Sequence, residues 1–436
     1  KQKLAIAGIL AMKPEFLILD EATAMLDPLS RNDLLELVEK LVRDEGITVL
    51  TITHDMSEAM RTDYVHIMDN GRIIMSGIPG EVLSDARKMT ELGLEAHLPA
   101  RIICELEDIS GIKARDDEKF SMQSSIDFIK NNFKAKSVKK ELSTATIGPK
   151  VFSVKNLSYH YEKNKSALEN INLDVHQGEL LAIVGRSGCG KTTLISHFNG
   201  IFTPEGEGNV EFYDGDKTYT TRNKKDIRRI RQKVGLVFQY PEYQLFEESV
   251  YKDISYGPMK MGMDEEYIKK SVIDALDAVG LDSSILDKSP FELSGGQQRR
   301  VAMAGVIAMN PEVLVLDEPA AGLDPYGRVE IFSMITNLKK KGKTIILVTH
   351  NMDEAYAYAD RICVINNGQI KSVGDSQSLF FDTESLKDME IEKPQLMTFL
   401  DKVSEAIELD AESRKNLLSA RTVHEASELL VRGSKC

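Results

Sequence analysis

The strongest constraint on this chain is a pattern that it carries twice. Lys3-Leu4-Ala5-Ile6-Ala7-Gly8-Ile9-Leu10-Ala11-Met12-Lys13-Pro14 matches Arg300-Val301-Ala302-Met303-Ala304-Gly305-Val306-Ile307-Ala308-Met309-Asn310-Pro311, 297 residues further on. At the same offset Leu17-Ile18-Leu19-Asp20-Glu21 matches Leu314-Val315-Leu316-Asp317-Glu318, and Leu26-Asp27-Pro28 matches Leu323-Asp324-Pro325. Thr53-His54 then matches Thr349-His350, and Asn70-Gly71 matches Asn367-Gly368. An ordered series of this kind is the signature of a duplicated domain. The copies are unequal, because Lys1 aligns with Gln298 and residues 151–292 have no counterpart at the start of the chain. The first copy is therefore expected to lack its N-terminal half. The polar, Ser/Thr/Lys-rich stretch 132–150 reads as a linker between the copies.

Composition narrows the function classes. Lys and Arg number 55 against 68 Asp and Glu, a net charge of −13. An acidic surface is a poor general partner for a phosphate backbone, so nucleic acid is not an expected partner. An apolar content of 42% with 28% charged residues is that of a folded globular protein. No run approaches the roughly 18 apolar residues that a membrane-spanning helix needs, and the first residues do not resemble a signal peptide. The four cysteines, at 104, 189, 363 and 436, are scattered. That spacing argues against a disulfide scaffold or a metal cluster and makes the cytosol the default compartment.

The chemistry sits in the second copy. Residues 179–184 form a short apolar run suited to a buried strand. The run feeds into Gly185-Arg186-Ser187-Gly188-Cys189-Gly190-Lys191-Thr192 and then the helix-like Thr193-Leu194-Ile195-Ser196. This is the Gly-x-x-x-x-Gly-Lys-Thr phosphate loop in its strand–loop–helix setting. The glycines let backbone N–H groups turn around phosphates, and the helix N-terminus adds a favourable dipole. Lys191 is expected to reach the β- and γ-phosphates and Thr192 to ligate Mg²⁺. A second strand pattern, 313–317, ends in Asp317 and Glu318. Asp317 is placed to hold Mg²⁺ and Glu318 to polarise an attacking water. Leu293-Ser294-Gly295-Gly296-Gln297 opens the preceding helix, with Ser294 as its cap and two glycines exposing N–H groups.

These residues resemble the nucleotide-binding subunits of ABC (ATP-binding cassette) transporters. The resemblance implies an α/β fold, the P-loop NTPase ABC nucleotide-binding domain. It would be present as one complete and one N-terminally truncated copy, each with a small helical C-terminal extension. The implied boundaries are 1–93 and 94–131 for the first copy and its extension, then 151–376 and 377–436 for the second. By position, Gln239 becomes the Q-loop residue sensing Mg²⁺ and water, Asp324 the D-loop aspartate and His350 the switch histidine. Glu21 and His54 are the first copy's counterparts of Glu318 and His350. Tyr161 is the first choice for stacking on adenine, with Tyr159 second. In this family Leu-Ser-Gly-Gly-Gln binds ATP held by the opposite domain, so each site is composite and a second ABC ATPase domain is an implied partner. Both composite sites would lack parts in this chain, since the first copy's phosphate loop and signature segment lie before Lys1. With Glu21 and Glu318 both present, the full-length pair reads as hydrolytic at both sites.

Within the family, Val237-Phe238-Gln239-Tyr240-Pro241-Glu242-Tyr243-Gln244-Leu245-Phe246 resembles the Q-loop of energy-coupling factor (ECF) transporter ATPases, which serve cobalt, nickel and vitamin importers. That resemblance implies two membrane partners, a coupling transmembrane protein and a substrate-binding component, and a place on the cytoplasmic face of the membrane. An ABC-F-type translation ATPase, another importer class and a non-catalytic scaffold are the alternatives. The tail Thr422-Val423-His424-Glu425 reads as a capping box, echoed at 121–130; such tails either join a dimer interface or pack on their own domain. The basic stretch 222–233 is a solvated helix face or a contact for anionic lipid. Strand patterns 16–19 and 47–52 belong in a parallel sheet covered on both faces. With the phosphate-loop strand missing from between them, apolar faces should stay exposed and residues 1–130 alone should fold poorly.

Overall fold

The computed structural model describes residues 2–23, 26, 28–133, 138, 148–162 and 165–434. Most of the linker 132–150, Asp27 of the repeated Leu-Asp-Pro and Cys436 lie outside the described residues. The chain divides into two compact units. One comprises residues 1–142, 324–326 and 395–436, and the other 143–323 and 327–394.

In the first unit, β1 (Phe16–Asp20) pairs in parallel with β2 (Thr48–Ile52), with Phe16 opposite Thr48. Between them runs the helix Pro28–Glu45. The hairpin of β3 (Val65–Asp69) and β4 (Arg72–Gly77) forms a separate two-stranded sheet. Its turn, Asn70-Gly71, has positive φ at both residues, which Asn and Gly tolerate.

The second unit holds two sheets. An antiparallel one runs β6 (Lys165–His176), β5 (Lys150–Glu162), β8 (Asn209–Asp214), β9 (Lys217–Thr220). The main sheet is ordered β10 (Val234–Val237), β11 (Val313–Asp317), β12 (Thr344–Val348), β7 (Leu180–Val184), β13 (Arg361–Asn366), β14 (Gln369–Asp375). Every residue of β7, β11 and β12 is buried, as expected for parallel strands covered on both faces.

This order corrects one expectation. β11 and β12, the counterparts of β1 and β2, pair directly with one another, and the phosphate-loop strand β7 lies between β12 and β13. Chain order does not give spatial order here, because crossover helices let a strand enter the sheet away from its sequence neighbours. The break in the first unit accordingly falls between β2 and β3, which belong to two separate two-stranded sheets. The expected exposure is present. Residues alternate between exposed and covered along β1 and β2, leaving Ile18 57% and Leu50 45% exposed. In the 436-residue chain, amides of β2 that face this break should exchange with deuterium on the order of 100-fold faster than those of β12, read by mass spectrometry. Equal protection of the two strands would contradict this topology.

The last helices, from Gln395 on, group with the first unit. Helix Leu98–Ser110 packs against Val423–Ser434, and Met122–Asn132 against Gln395–Ala406, all within the first unit. Apolar faces made by Ile102, Ile103, Leu106, Phe399, Leu400 and Leu430 are fully buried there. Ser121 forms a capping box with Ser124. Thr422 caps the last helix by accepting from Glu425 N, while Glu425 accepts from Arg421 N, one residue earlier than a strict box requires. In the basic stretch, Arg222, Arg229, Arg231 and Lys233 are tied to Gly208 O, Asp214, Asn199 O and Glu312. These bonds fasten the helix Lys224–Lys233 and the residue before its cap to neighbouring segments of the same unit.

Candidate nucleotide site

The phosphate loop leaves β7 and enters the helix Lys191–Phe198. Gly185 has φ +149°, and a Cβ there would collide with the carbonyl of Ile365. A Cβ on Gly190, φ +109°, would lie 2.6 Å from Ala167 O. Only glycine fits these two positions, which makes the loop a backbone cradle. Lys191 is buried and its Nζ donates to Gly185 O (2.7 Å) and Arg186 O (3.0 Å), so the ammonium is held over the loop.

Thr192 Oγ1 donates to Asp317 Oδ2 at 2.8 Å, joining the loop to the end of β11. Burial raises the Asp317 carboxyl to about 6; the Thr192 bond opposes this and the neighbouring Glu318 charge adds to it. Glu318 takes a left-handed backbone, φ +46°, and its N–H donates to Val348 O. A non-glycine residue held there is strained, and such strain gathers at functional sites. His350 Nδ1–H donates to Glu318 Oε1 (3.1 Å) and Gln239 Nε2 donates to Oε2 (3.0 Å). Burial raises the Glu318 carboxyl, but the His350 bond and charge outweigh it and leave the group below its ordinary value. Adjacent carboxyls are thus pushed in opposite directions, and Glu318 stays ionised.

Glu21 repeats this arrangement in the first unit, with φ +44° and its N–H on Ile52 O. His54 Nδ1–H donates to Glu21 Oε1 at 3.0 Å. Both predicted pairs of glutamate and histidine are brought together within their own units.

Of the aromatic candidates, Tyr159 stacks on Phe202 (4.8 Å, 21°) and meets the buried His197 edge-on. Tyr161 is 57% exposed, and its hydroxyl lies 3.0 Å from Thr193 Oγ1. Ser294 accepts from Gln297 N and Gln297 Oε1 accepts from Ser294 N, capping the helix Gly295–Ile307. Among the described residues, Ser294 and Gln297 bond to one another, while Lys191 bonds to its own loop and Glu318 to Gln239. Asp324 groups with the first unit.

Sequence reading missed Arg299. Its side chain is 4% exposed and forks onto Glu242, Nη2 to Oε1 at 2.7 Å and Nε to Oε2 at 3.0 Å. Glu242 lies in the Q-loop segment and Arg299 two residues past Gln297, but a pairing across 57 positions leaves no local signal.

The description "ABC transporter" belongs to the family model that matches residues 168–321. The energy-coupling factor transporter ATP-binding protein EcfA2 of Acetivibrio thermocellus is 47% identical over 259 residues, 58% of this chain and 90% of that protein. A protein of Caldanaerobacter subterraneus named as an ABC transporter ATP-binding protein is 31% identical over 406 residues, covering 91% of this chain and 69% of its own length. The chain belongs to the ABC transporter ATP-binding protein family. A solved structure of cbiO1 from Clostridium perfringens, described as part of the ABC transporter complex cbiONQ, is 39% identical. It covers 56% of this chain and 95% of its own, with a TM-score of 0.49. The protein is thus an ABC transporter ATPase, and no helix among its described residues is long and apolar enough to cross a membrane.

In this ATPase the raised Asp317 carboxyl has a stability consequence. Its folded value of about 6 exceeds its ordinary 3.8, so the burial penalty is absent below about 3.8, grows from there to about 6, and is full above. At roughly 1.4 kcal/mol per pH unit the penalty reaches about 3 kcal/mol. Asp317→Asn should therefore raise the melting temperature of the metal- and nucleotide-free protein at pH 7.5 and lose that advantage near pH 4. Calorimetry showing equal or lower stability for the variant at pH 7.5 would contradict this.

Proposed function

We propose that this chain is an ATP-hydrolysing energy-coupling subunit of an ECF-type importer for a vitamin, cobalt or nickel. The observation that carries the reading is the Gln239–Glu318–His350 cluster beside the phosphate loop, in a chain of which 56–58% is 46–48% identical to EcfA2 proteins of several bacteria. Gly185 to Thr193, with Arg186, Ser187, Gly188 and Cys189 between the paired glycines, would cradle the phosphates. The exposed face of Tyr161 suits adenine, since Tyr159 is spent on Phe202.

The hard oxygens of Thr192 and Asp317, 2.8 Å apart, fit a Mg²⁺ site, with Gln239 completing it. Bound Mg²⁺ would supply charge neutralisation on the phosphates. Glu318, kept ionised, is the base that takes a proton from the attacking water, while His350 orients it. Gln239 must leave Glu318 to reach nucleotide, which ties occupancy to the segment that follows it.

We read the chain as a tandem pair of ABC domains, a reading supported by the Glu21–His54 pair, which repeats the Glu318–His350 pair. ATP would be clamped between two such domains, with Ser294, Gly295, Gly296, Gln297 and Asp324 serving the opposite site and Glu21 and His54 the other. The membrane partners would be a coupling transmembrane protein and a substrate-binding component, placing the chain on the cytoplasmic face of the membrane. Co-purification with integral membrane proteins is the expected result; sedimentation with ribosomes instead would favour a translation ATPase.

A further inference from the structure

The hydrogen bonds around Arg299 link three elements of the site. Arg299 lies in the helix that Ser294 caps. Besides its fork to Glu242, its Nη1 donates to Ala321 O at 2.5 Å, in the segment between Glu318 and Asp324. Its guanidinium lies 5.4 Å from the centre of the Tyr240 ring. Tyr240 immediately follows Gln239, has φ +56°, and leads into the turn Pro241–Gln244 that contains Glu242. One buried cation therefore touches the segment after the Q-loop, the segment after the catalytic glutamate and its own signature helix.

A rigid planar fork suits this role better than a flexible ammonium, because its donors keep a fixed mutual geometry. Removing one partner strands a buried charge, so the three elements are held in register or not at all. The strained Tyr240 backbone has a reason to persist here: the ring above it and the Glu242 turn beside it are both held by Arg299.

We infer that Arg299 is a positioning residue that carries nucleotide-driven movement of Gln239, through Glu242 and Tyr240, into the signature helix and the Ala321 segment. The inference rests on the reading of Gln239 as a nucleotide-sensing residue. When Gln239 leaves Glu318, Tyr240 and Glu242 move with it, and the fork passes that displacement to the helix whose Ser294 end serves the opposite site. Arg299 touches no nucleotide in this scheme. It acts on when the site closes rather than on whether ATP binds.

The chain has no tryptophan, and Phe291 is 64% exposed beside the Ser294 end of the signature helix, beyond the fork, so Phe291→Trp provides a single reporter. In the full chain carrying that reporter, Mg-ATP should change the tryptophan emission, and a fluorescent ATP analogue should bind. Adding Arg299→Gln should leave analogue affinity within about threefold while cutting the emission change at least fivefold. Arg299→Lys, which keeps an ion pair but loses the fork, should fall between. Arg299→Glu with Glu242→Arg should restore at least half of the change. The inference is overturned if Arg299→Gln keeps the full emission change, or if affinity, emission and melting temperature all fall together without rescue by the charge reversal. An absence of emission change in the reporter parent that binds the analogue also overturns it. Failure of the parent to bind the analogue at all would instead defeat the nucleotide-site reading.

Discussion

Lys191→Ala is expected to abolish ATP retention by this chain, with affinity falling by about 100-fold or more. The ammonium is buried, and its hydrogen bonds to Gly185 O and Arg186 O hold it at the phosphate cradle. A charge-assisted hydrogen bond to phosphate contributes about 1.5–3 kcal/mol, and each 1.4 kcal/mol is about tenfold in affinity. Alanine would remove at least one such bond to each of two phosphates and would leave the two carbonyls without their donor. Titration calorimetry with Mg-ATP checks binding, and solute uptake by the assembled transporter checks function. Unchanged affinity together with unchanged uptake would remove the basis for a nucleotide-driven mechanism.

Glu318→Gln should separate binding from hydrolysis. The amide keeps the length of the side chain and an oxygen to accept from His350 Nδ1, so the site's shape survives and ATP should bind within a few-fold of wild type. What is lost is a base. General base catalysis contributes about 10²–10⁴ in rate, and the turnover of an assembled pair should fall within that range. The wild-type pH profile carries the matching sign. Because His350 holds the Glu318 carboxyl below its ordinary value, the ionised form persists to lower pH and is lost only as pH falls through that lowered value. A variant that hydrolyses at the wild-type rate in a complete site would show that Glu318 is not the base.

Both expectations concern residues that were legible from local sequence. The phosphate loop is readable because one strand, one turn and one helix N-terminus suffice to build it, and all three are contiguous in 179–198. The Asp317-Glu318 pair is readable for the same reason, as the end of an apolar run. Less was legible about what surrounds them. Nothing in the sequence indicates that Glu318 and Glu21 adopt positive φ, because glutamate has no preference for that region and only the surrounding sheet holds it there. Tyr159 and Tyr161 look alike on paper and are separated only by packing, since Tyr159 stacks on Phe202 while Tyr161 meets that ring edge-on and stays exposed.

The sequence by itself determined the repeated series of motifs, the phosphate loop and the buried character of β7, β11 and β12. These follow from residue type and from spacing along one stretch of chain, where periodicity and backbone chemistry act over a few positions. Only the tertiary structure decided that β7 lies between β12 and β13, that the last helices pack on residues 98–132, and that Arg299 forks onto Glu242. Each is a choice of partner across tens to hundreds of residues. Such choices are made by whichever apolar faces and buried charges can be covered together, a condition on the whole packed chain that no local segment contains.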